Sequence, residues 1–230
     1  MIVYSNSDSY GVMSTTNNRY SEFLAQELNA KVINSGKGGS CNQRIFRTSI
    51  RDLIKLKESN PDEEVLALIC LGALHRTEWW DPEYRPKDNE TDGHFSSLQI
   101  FSLNKNNPPP FAKEWFKVFD DEAEQTNLLM NLVLFTTWLK NNNIKYIIFA
   151  GNNVTYKKVS YDDVFIKDFS NKVFNDPDIL NINDVSFTKH CLSLGHVPYD
   201  YDLYQENGHH GEPAHRDFAK FLLQLYKERW

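Results

Sequence analysis

Apolar positions along the chain change their spacing several times, and these changes divide it into alternating strands and helices. Ile2 to Tyr4 is a short apolar run that reads as a strand. It ends in a polar cluster, Ser5-Asn6-Ser7-Asp8-Ser9, closed by Gly11. Tyr20, Phe23, Leu24 and Leu28 then recur at helical spacing, and Asn29-Ala30 ends that helix. Lys31 to Asn34 reads as a second short strand, running into Ser35-Gly-Lys-Gly-Gly-Ser40, the densest glycine stretch of the chain. Ile45, Ile50, Leu53 and Ile54 mark a second helix, closed by Ser59-Asn60-Pro61. Val65 to Leu71 is continuously apolar, as a central parallel strand buried on both faces should be. This βαβαβ order predicts a parallel sheet with helices on both sides.

The rhythm then breaks. From about Leu74 to Phe119 there is no clear period, but the stretch holds Trp79, Trp80, Tyr84, three consecutive prolines from Pro108, and Trp115. A connection this long in one domain is usually functional or disordered, and its aromatic density argues for order. It reads either as a lid over a site or as a cover for a sheet edge. Leu128, Leu129, Leu132, Phe135 and Leu139 restore a helix, and Ile144 to Ala150 gives a fourth strand ending at Gly151-Asn152-Asn153. Residues 154–200 are less regular, with a helix expected near Ser186 to Leu194. Ala214, Phe218, Leu222 and Leu225 line one face of a last helix. The expectation is a single domain over residues 1–230, a three-layer α/β/α fold with a short parallel sheet of about five strands and an insertion at about 75–119 after the third strand.

Composition narrows the function classes. A 40% apolar and 13% aromatic content is enough for a packed core. The formal net charge is −6 and no Lys/Arg run stands out, so tight nucleic-acid binding through phosphate contacts is not expected. The three cysteines, Cys41, Cys70 and Cys191, are odd in number and widely spaced, which fits free thiols better than a disulfide frame. Without a leader-like opening or a long apolar run, the expectation is a soluble cytoplasmic protein with no membrane partner.

Two stretches carry candidate chemistry. In an open α/β sheet ligands bind beyond the carboxyl ends of the strands, which is where Ser5 to Gly11 falls. A small hydroxyl beside a carboxylate is suited to chemistry there, although the same residue types also make turns and helix caps. The second stretch, Glu206-Asn-Gly-His-His-Gly-Glu-Pro-Ala-His215, packs three histidines and two glutamates into a loop before the last helix. A histidine there suits a general base, which a serine nucleophile needs. Zinc ligation by Glu206, His209, His210 and His215 is the rival chemistry, but the spacing matches no familiar structural zinc pattern. His215 also reads as a residue that caps or packs on the helix. Gly36 to Ser40 lacks the spacing of a phosphate-binding P-loop, which ranks phosphoester or nucleotide chemistry last.

Taken together these blocks resemble the SGNH (GDSL-like) hydrolases, and more closely an uncharacterised SGNH-like subgroup common in bacteriophages. The first block is Ser7-Asp8-Ser9-Tyr10-Gly11, with Ser7 where the family has glycine; the resemblance makes Ser9 the nucleophile. The second is the glycine after the second strand, Gly39 or its neighbour Gly38, whose N–H would join that of Ser9 in an oxyanion hole. The last is the family's Asp-x-x-His, here Glu206-Asn-Gly-His209, which makes His209 the general base and Glu206 its orienting acid; a spacing of two would substitute Asn207. The third block departs from the pattern. Gly72-Ala73-Leu74-His75 puts Leu74 where the family's asparagine donor stands, with Asn42, His75, Arg76 or Asn152 as substitutes.

The resemblance implies a flavodoxin-like α/β/α fold and hydrolysis of an ester, expected to be an O-acetyl group on a carbohydrate or similar small acceptor. Ser9 would attack, His209 would carry the proton, Glu206 would orient it, and Ser9, Gly39 and Asn42 would hold the oxyanion. Asp8, Arg76, Glu78 and Trp79 are the expected substrate contacts, although Arg76 and Glu78 also read as a surface ion pair. Neither cofactor nor metal is required by this mechanism. The alternative from another class is a catalytically degenerate module that binds a glycan or protein partner through the aromatic insertion.

Overall fold

Four of the apolar runs pair side by side in the computed structural model, which describes residues 1–12, 18–80, 95–99, 112–152, 164–181, 184–204 and 208–230. β1 (Ile2–Asn6), β2 (Lys31–Asn34), β3 (Val65–Leu71) and β6 (Lys145–Ala150) form a parallel sheet in the order β2-β1-β3-β6. Val3 lies opposite Val32 on one side and Leu66 on the other, and Leu66 lies opposite Lys145. The order reverses between β1 and β3, which creates the crevice at the carboxyl ends where such sheets bind ligands.

β3 is apolar throughout because both of its faces are covered. Val65, Ala67, Ile69 and Leu71 join Ile2 and Tyr4 in one core, against α2 (Asn42–Ser59) and α4 (Asp121–Asn141). Leu66, Leu68 and Cys70 join Val3, Ile147 and Phe149 in the other. That second core is closed by α1 (Tyr20–Glu27), α6 (Phe187–Ser193) and α8 (Glu212–Arg229). Fully burying each Leu or Phe on these faces stabilises the fold by roughly 1.5–3 kcal/mol. Helix starts are fixed by side chains: Asp120 accepts from the Ala123 N–H at 2.8 Å and Ser186 from the Lys189 N–H at 3.0 Å.

A three-layer α/β/α arrangement is what the pattern predicts, with several refinements. The fifth strand position is occupied without a ladder: among the described residues single parallel bridges, Ile148 with Ile179 and Ala150 with Ser186, set the chain against β6. The stretch after β3 contains an antiparallel pair, β4 (Arg76–Trp80) and β5 (Phe95–Gln99), and the short helix α3 (Ala112–Val118). Residues 164–174 form α5 (Val164–Phe174), where no helix is expected from the pattern. A four-residue turn of helix, α7 (Tyr201–Tyr204), precedes the histidine segment. Ile54, read as an inward position of α2, is 43% exposed. All three cysteines are buried and unpaired, and among the described residues no helix is long and apolar enough to cross a membrane.

Candidate active site

The turn after β1 is built from its own polar side chains. Asn6 is buried and its amide donates to Thr48 Oγ1 at 2.8 Å and Ser49 Oγ at 2.9 Å on α2, while its carbonyl accepts from the Ser7 N–H at 2.9 Å. Asp8 accepts from the Tyr10 N–H at 3.1 Å and so caps a single 3₁₀ turn, Ser9–Gly11. Ser9 therefore sits at the start of that turn, almost completely enclosed, one residue beyond a buried carboxylate. Two glycines make room for the Ser7 side chain: a Cβ on Gly11 would lie 2.1 Å from Ser7 Oγ, and one on Gly36 would lie 2.5 Å from the same atom.

Asp8 is fully buried, and its second oxygen meets a guanidinium nitrogen of Arg76 at 2.7 Å. Burial pushes the Asp8 carboxyl above its ordinary range; the Arg76 charge, the Tyr10 N–H and, from further away, His209 oppose that shift. The same Arg76 nitrogen donates to the Ser40 carbonyl at 3.3 Å. Arg76 arrives from the first residue of β4, directly after β3, and its Nε is buried without a partner. Gly72 permits this approach, because a Cβ there would stand 3.0 Å from the Ser40 carbonyl and 3.3 Å from Asp8. Gly39, immediately before Ser40, has φ +79°, a left-handed conformation that glycine adopts without strain.

On the other side of the turn stands His209. Its ring centroid lies 5.6 Å from that of Tyr10, the residue after Ser9, and 6.3 Å from that of Tyr199. One carboxylate holds it at two points. Asp200 accepts the His209 backbone N–H at 2.6 Å and faces ring Nδ1 at 2.5 Å. The Tyr199 N–H donates to the His209 carbonyl at 2.9 Å, so the backbone is clamped as well. A carboxylate facing Nδ1 favours the tautomer with its proton there, which suits Nε2 to act as a base.

The expected site residues therefore divide. Asp8, Ser9, Gly39 and Arg76 gather at the carboxyl ends of β1 and β3, with His209 beside them. The carboxylate on the histidine is Asp200; Glu206 and Asn207 lie outside the described residues. Nothing in a three-residue spacing could find Asp200, which is nine positions upstream across α7; the available signal was only that it is one of three carboxylates in the ten residues before His209. Asn42 exchanges two hydrogen bonds with the backbone of Gly72, at 2.9 and 3.2 Å, so its amide ties α2 to the end of β3. Arg76 and Glu78 do not pair with each other. Glu78 takes a bidentate bridge from Arg47 on α2, at 2.9 and 2.7 Å, and so belongs to the packing of β4 on α2. The Trp79 side chain lies outside the described ones.

The remaining histidines have separate surroundings. His215 is buried, stacks on Tyr20, and accepts from the Tyr20 N–H at 3.3 Å. His210 is buried edge-on to Phe187 with neither ring nitrogen partnered, and burial pulls its pKa down to about 4.

A model for a family described only as one of unknown function (DUF6071) matches residues 5–162. The chain belongs to this family. The matched span includes the Ser9 turn, the Gly39 loop and Arg76, and ends before Asp200 and His209. No curated protein matches the sequence. Among solved structures, the chain is similar to one assigned to the G-D-S-L lipolytic family from Desulfitobacterium hafniense DCB-2, with 13% identity over 97% of this chain and 98% of that one, at a TM-score of 0.53. A catalytic variant of an acetylxylan esterase from Geobacillus stearothermophilus matches with 14% identity over 97% and 93% of the two chains, at a TM-score of 0.52. At such identities the likeness is one of fold, and the fold is that of the GDSL-like (SGNH) hydrolases.

Proposed function

We propose that this protein is a serine esterase of SGNH type that removes a small acyl group, an O-acetyl on a carbohydrate or similar acceptor, by a covalent mechanism. Ser9 Oγ attacks the ester carbonyl while His209 Nε2 takes its proton. The same imidazolium then returns that proton to the departing alcohol, and a water activated by His209 releases the acid from Ser9. Asp200, in place of the expected Glu206, keeps the proton on Nδ1 and stabilises the imidazolium. The N–H groups of Ser9 and Gly39 receive the oxyanion, each such donor being worth roughly 10²–10³ in rate.

The observation that carries this reading is the two-point hold of Asp200 on His209, facing the turn that presents Ser9. A packing histidine needs no carboxylate at Nδ1. The acetylxylan esterase of similar fold adds support, since its catalytic variants replace a serine, a histidine and an aspartate. The bacteriophage subgroup rests on sequence resemblance alone. A second reading, a binding module that has lost catalysis, is favoured by Leu74, which carries no donor where the SGNH pattern has one.

The test is labelling with a fluorophosphonate probe, followed by turnover of small acetyl esters. Labelling that disappears in Ser9→Ala and falls sharply in His209→Ala is the expected result. A folded wild-type protein that neither labels nor turns over any acetyl ester would leave the binding module as the better reading.

A further inference from the structure

Arg76 meets both halves of the proposed oxyanion hole. One guanidinium nitrogen bonds Asp8, the residue before Ser9, at 2.7 Å, and the carbonyl of Ser40, the residue after Gly39, at 3.3 Å. These two segments come from different β-strand ends, and Lys37 N–H to Ser7 carbonyl, at 3.0 Å, is the backbone bond between them nearest the site. Ser40 is itself fixed from the opposite side, its hydroxyl accepting from Arg44 at 3.1 Å and donating to the Lys37 carbonyl at 2.6 Å. The Arg76 side chain is only 14% exposed and Asp8 not at all, so this contact is shielded from water and salt. A Cβ on Gly72 would crowd both acceptors of this contact, the Ser40 carbonyl and the Asp8 carboxylate. A surface arginine would need none of this.

We propose that Arg76 is a positioning residue of the active site: by joining Asp8 to the Ser40 carbonyl it sets the separation and direction of the Ser9 and Gly39 N–H groups. The proposal rests on the esterase reading. It explains how a chain with Leu74 in the third block keeps a working hole: a fixed charge and a two-point brace replace a neutral side-chain donor. A displacement near 1 Å of a catalytic group costs about 10²-fold in rate, so loss of the brace should be felt in the chemical step and not in substrate capture.

The experiment compares wild type, Arg76→Gln and Arg76→Lys for the rate of fluorophosphonate labelling of Ser9 against probe concentration, with thermal unfolding as a control. Arg76→Gln is expected to lower the limiting rate by about 10²-fold while the half-saturating concentration stays within about threefold. Arg76→Lys restores part of the rate, because an ammonium keeps the charge against Asp8 but lacks the fixed geometry of the guanidinium. If Arg76→Gln does not fold, Asp8→Asn combined with Arg76→Gln removes both charges and the same loss is expected. Unchanged labelling in a folded Arg76→Gln or in the double variant overturns the proposal, as does a change confined to the half-saturating concentration, which would make Arg76 a substrate contact. A wild type that is folded but never labels overturns the esterase reading itself, and this proposal falls with it.

Discussion

Ser7 stands where the SGNH pattern has glycine, and the space for its hydroxyl is found at two other residues. Gly11 and Gly36 both back onto Ser7 Oγ, so the motif's small residue has been moved and not lost. Gly11→Ala is expected to destabilise the protein by about 1–3 kcal/mol through overpacking, measured by chemical denaturation. Adding Ser7→Gly should recover part of the loss, because the two changes share one cavity while the Tyr20 hydroxyl, 2.5 Å from the new Cβ, remains in the way. The orienting acid is tested in the same way. Asp200→Asn should lower kcat for an acetyl ester by about 10²–10⁴-fold, while Glu206→Gln stays within about threefold of wild type, reversing the order that the family spacing implies. The proposed site was half legible at the residue scale. Asp8, Ser9 and Gly39 follow from strand ends and a motif, but Asp200 reaches His209 because the chain turns back and is pinned by the Tyr199 N–H on the His209 carbonyl, and no linear spacing encodes that.

Among the elements, the loop leading into α8 holds a buried imidazole with no hydrogen-bond partner. His210 lies against Phe187 with both ring nitrogens unpartnered, and its pKa is lowered to about 4 from an ordinary 6.5. The unfolded chain binds a proton at this residue between those two values and the folded chain does not. Stability contributed here is therefore complete above pH 6.5 and is lost as pH falls toward 4, by at most about 3 kcal/mol. His210→Phe should flatten that part of the stability–pH curve, and the difference from wild type should grow from pH 6.5 to pH 4. Failure of the two curves to diverge would show that His210 finds a partner in solution. Elements buried on two faces, such as β3, were readable from apolar runs alone. β4 and β5 were not, because Arg-Thr-Glu-Trp-Trp and Phe-Ser-Ser-Leu-Gln carry no strict alternation and pair with each other, outside the main sheet. About five strands were expected with only four placed, and at the fifth position single bridges stand where a ladder would.

For the molecule as a whole, the three thiols report on whether it opens in parts or together. Burial pushes the Cys41 thiol up to about 12 and holds those of Cys70 and Cys191 well above the ordinary range. Cys41 lies at the start of α2, Cys70 in the central strand and Cys191 on α6, so each samples a different layer. At pH 8 a disulfide reagent is expected to leave all three untouched in the native protein and to modify all three in one transition with denaturant. Modification of Cys191 ahead of the others would mean that the α6–α8 layer separates first. The layering itself was legible, since the alternation βαβαβ leaves few other ways to cover both faces of a parallel sheet.

The clamp between residues 199–200 and 209 has a consequence for how this protein can be altered. Both ends of the intervening stretch are pinned by the Tyr199 N–H and the Asp200 carboxylate, so the path between them need not be specified for the imidazole to be held. That makes residues 201–208 an exchangeable cassette. Lengthening it costs little in closure entropy, each doubling adding only about 0.6 kcal/mol. New loops could be grafted beside His209 to change what approaches it, with the Asp200 and Tyr199 contacts left in place.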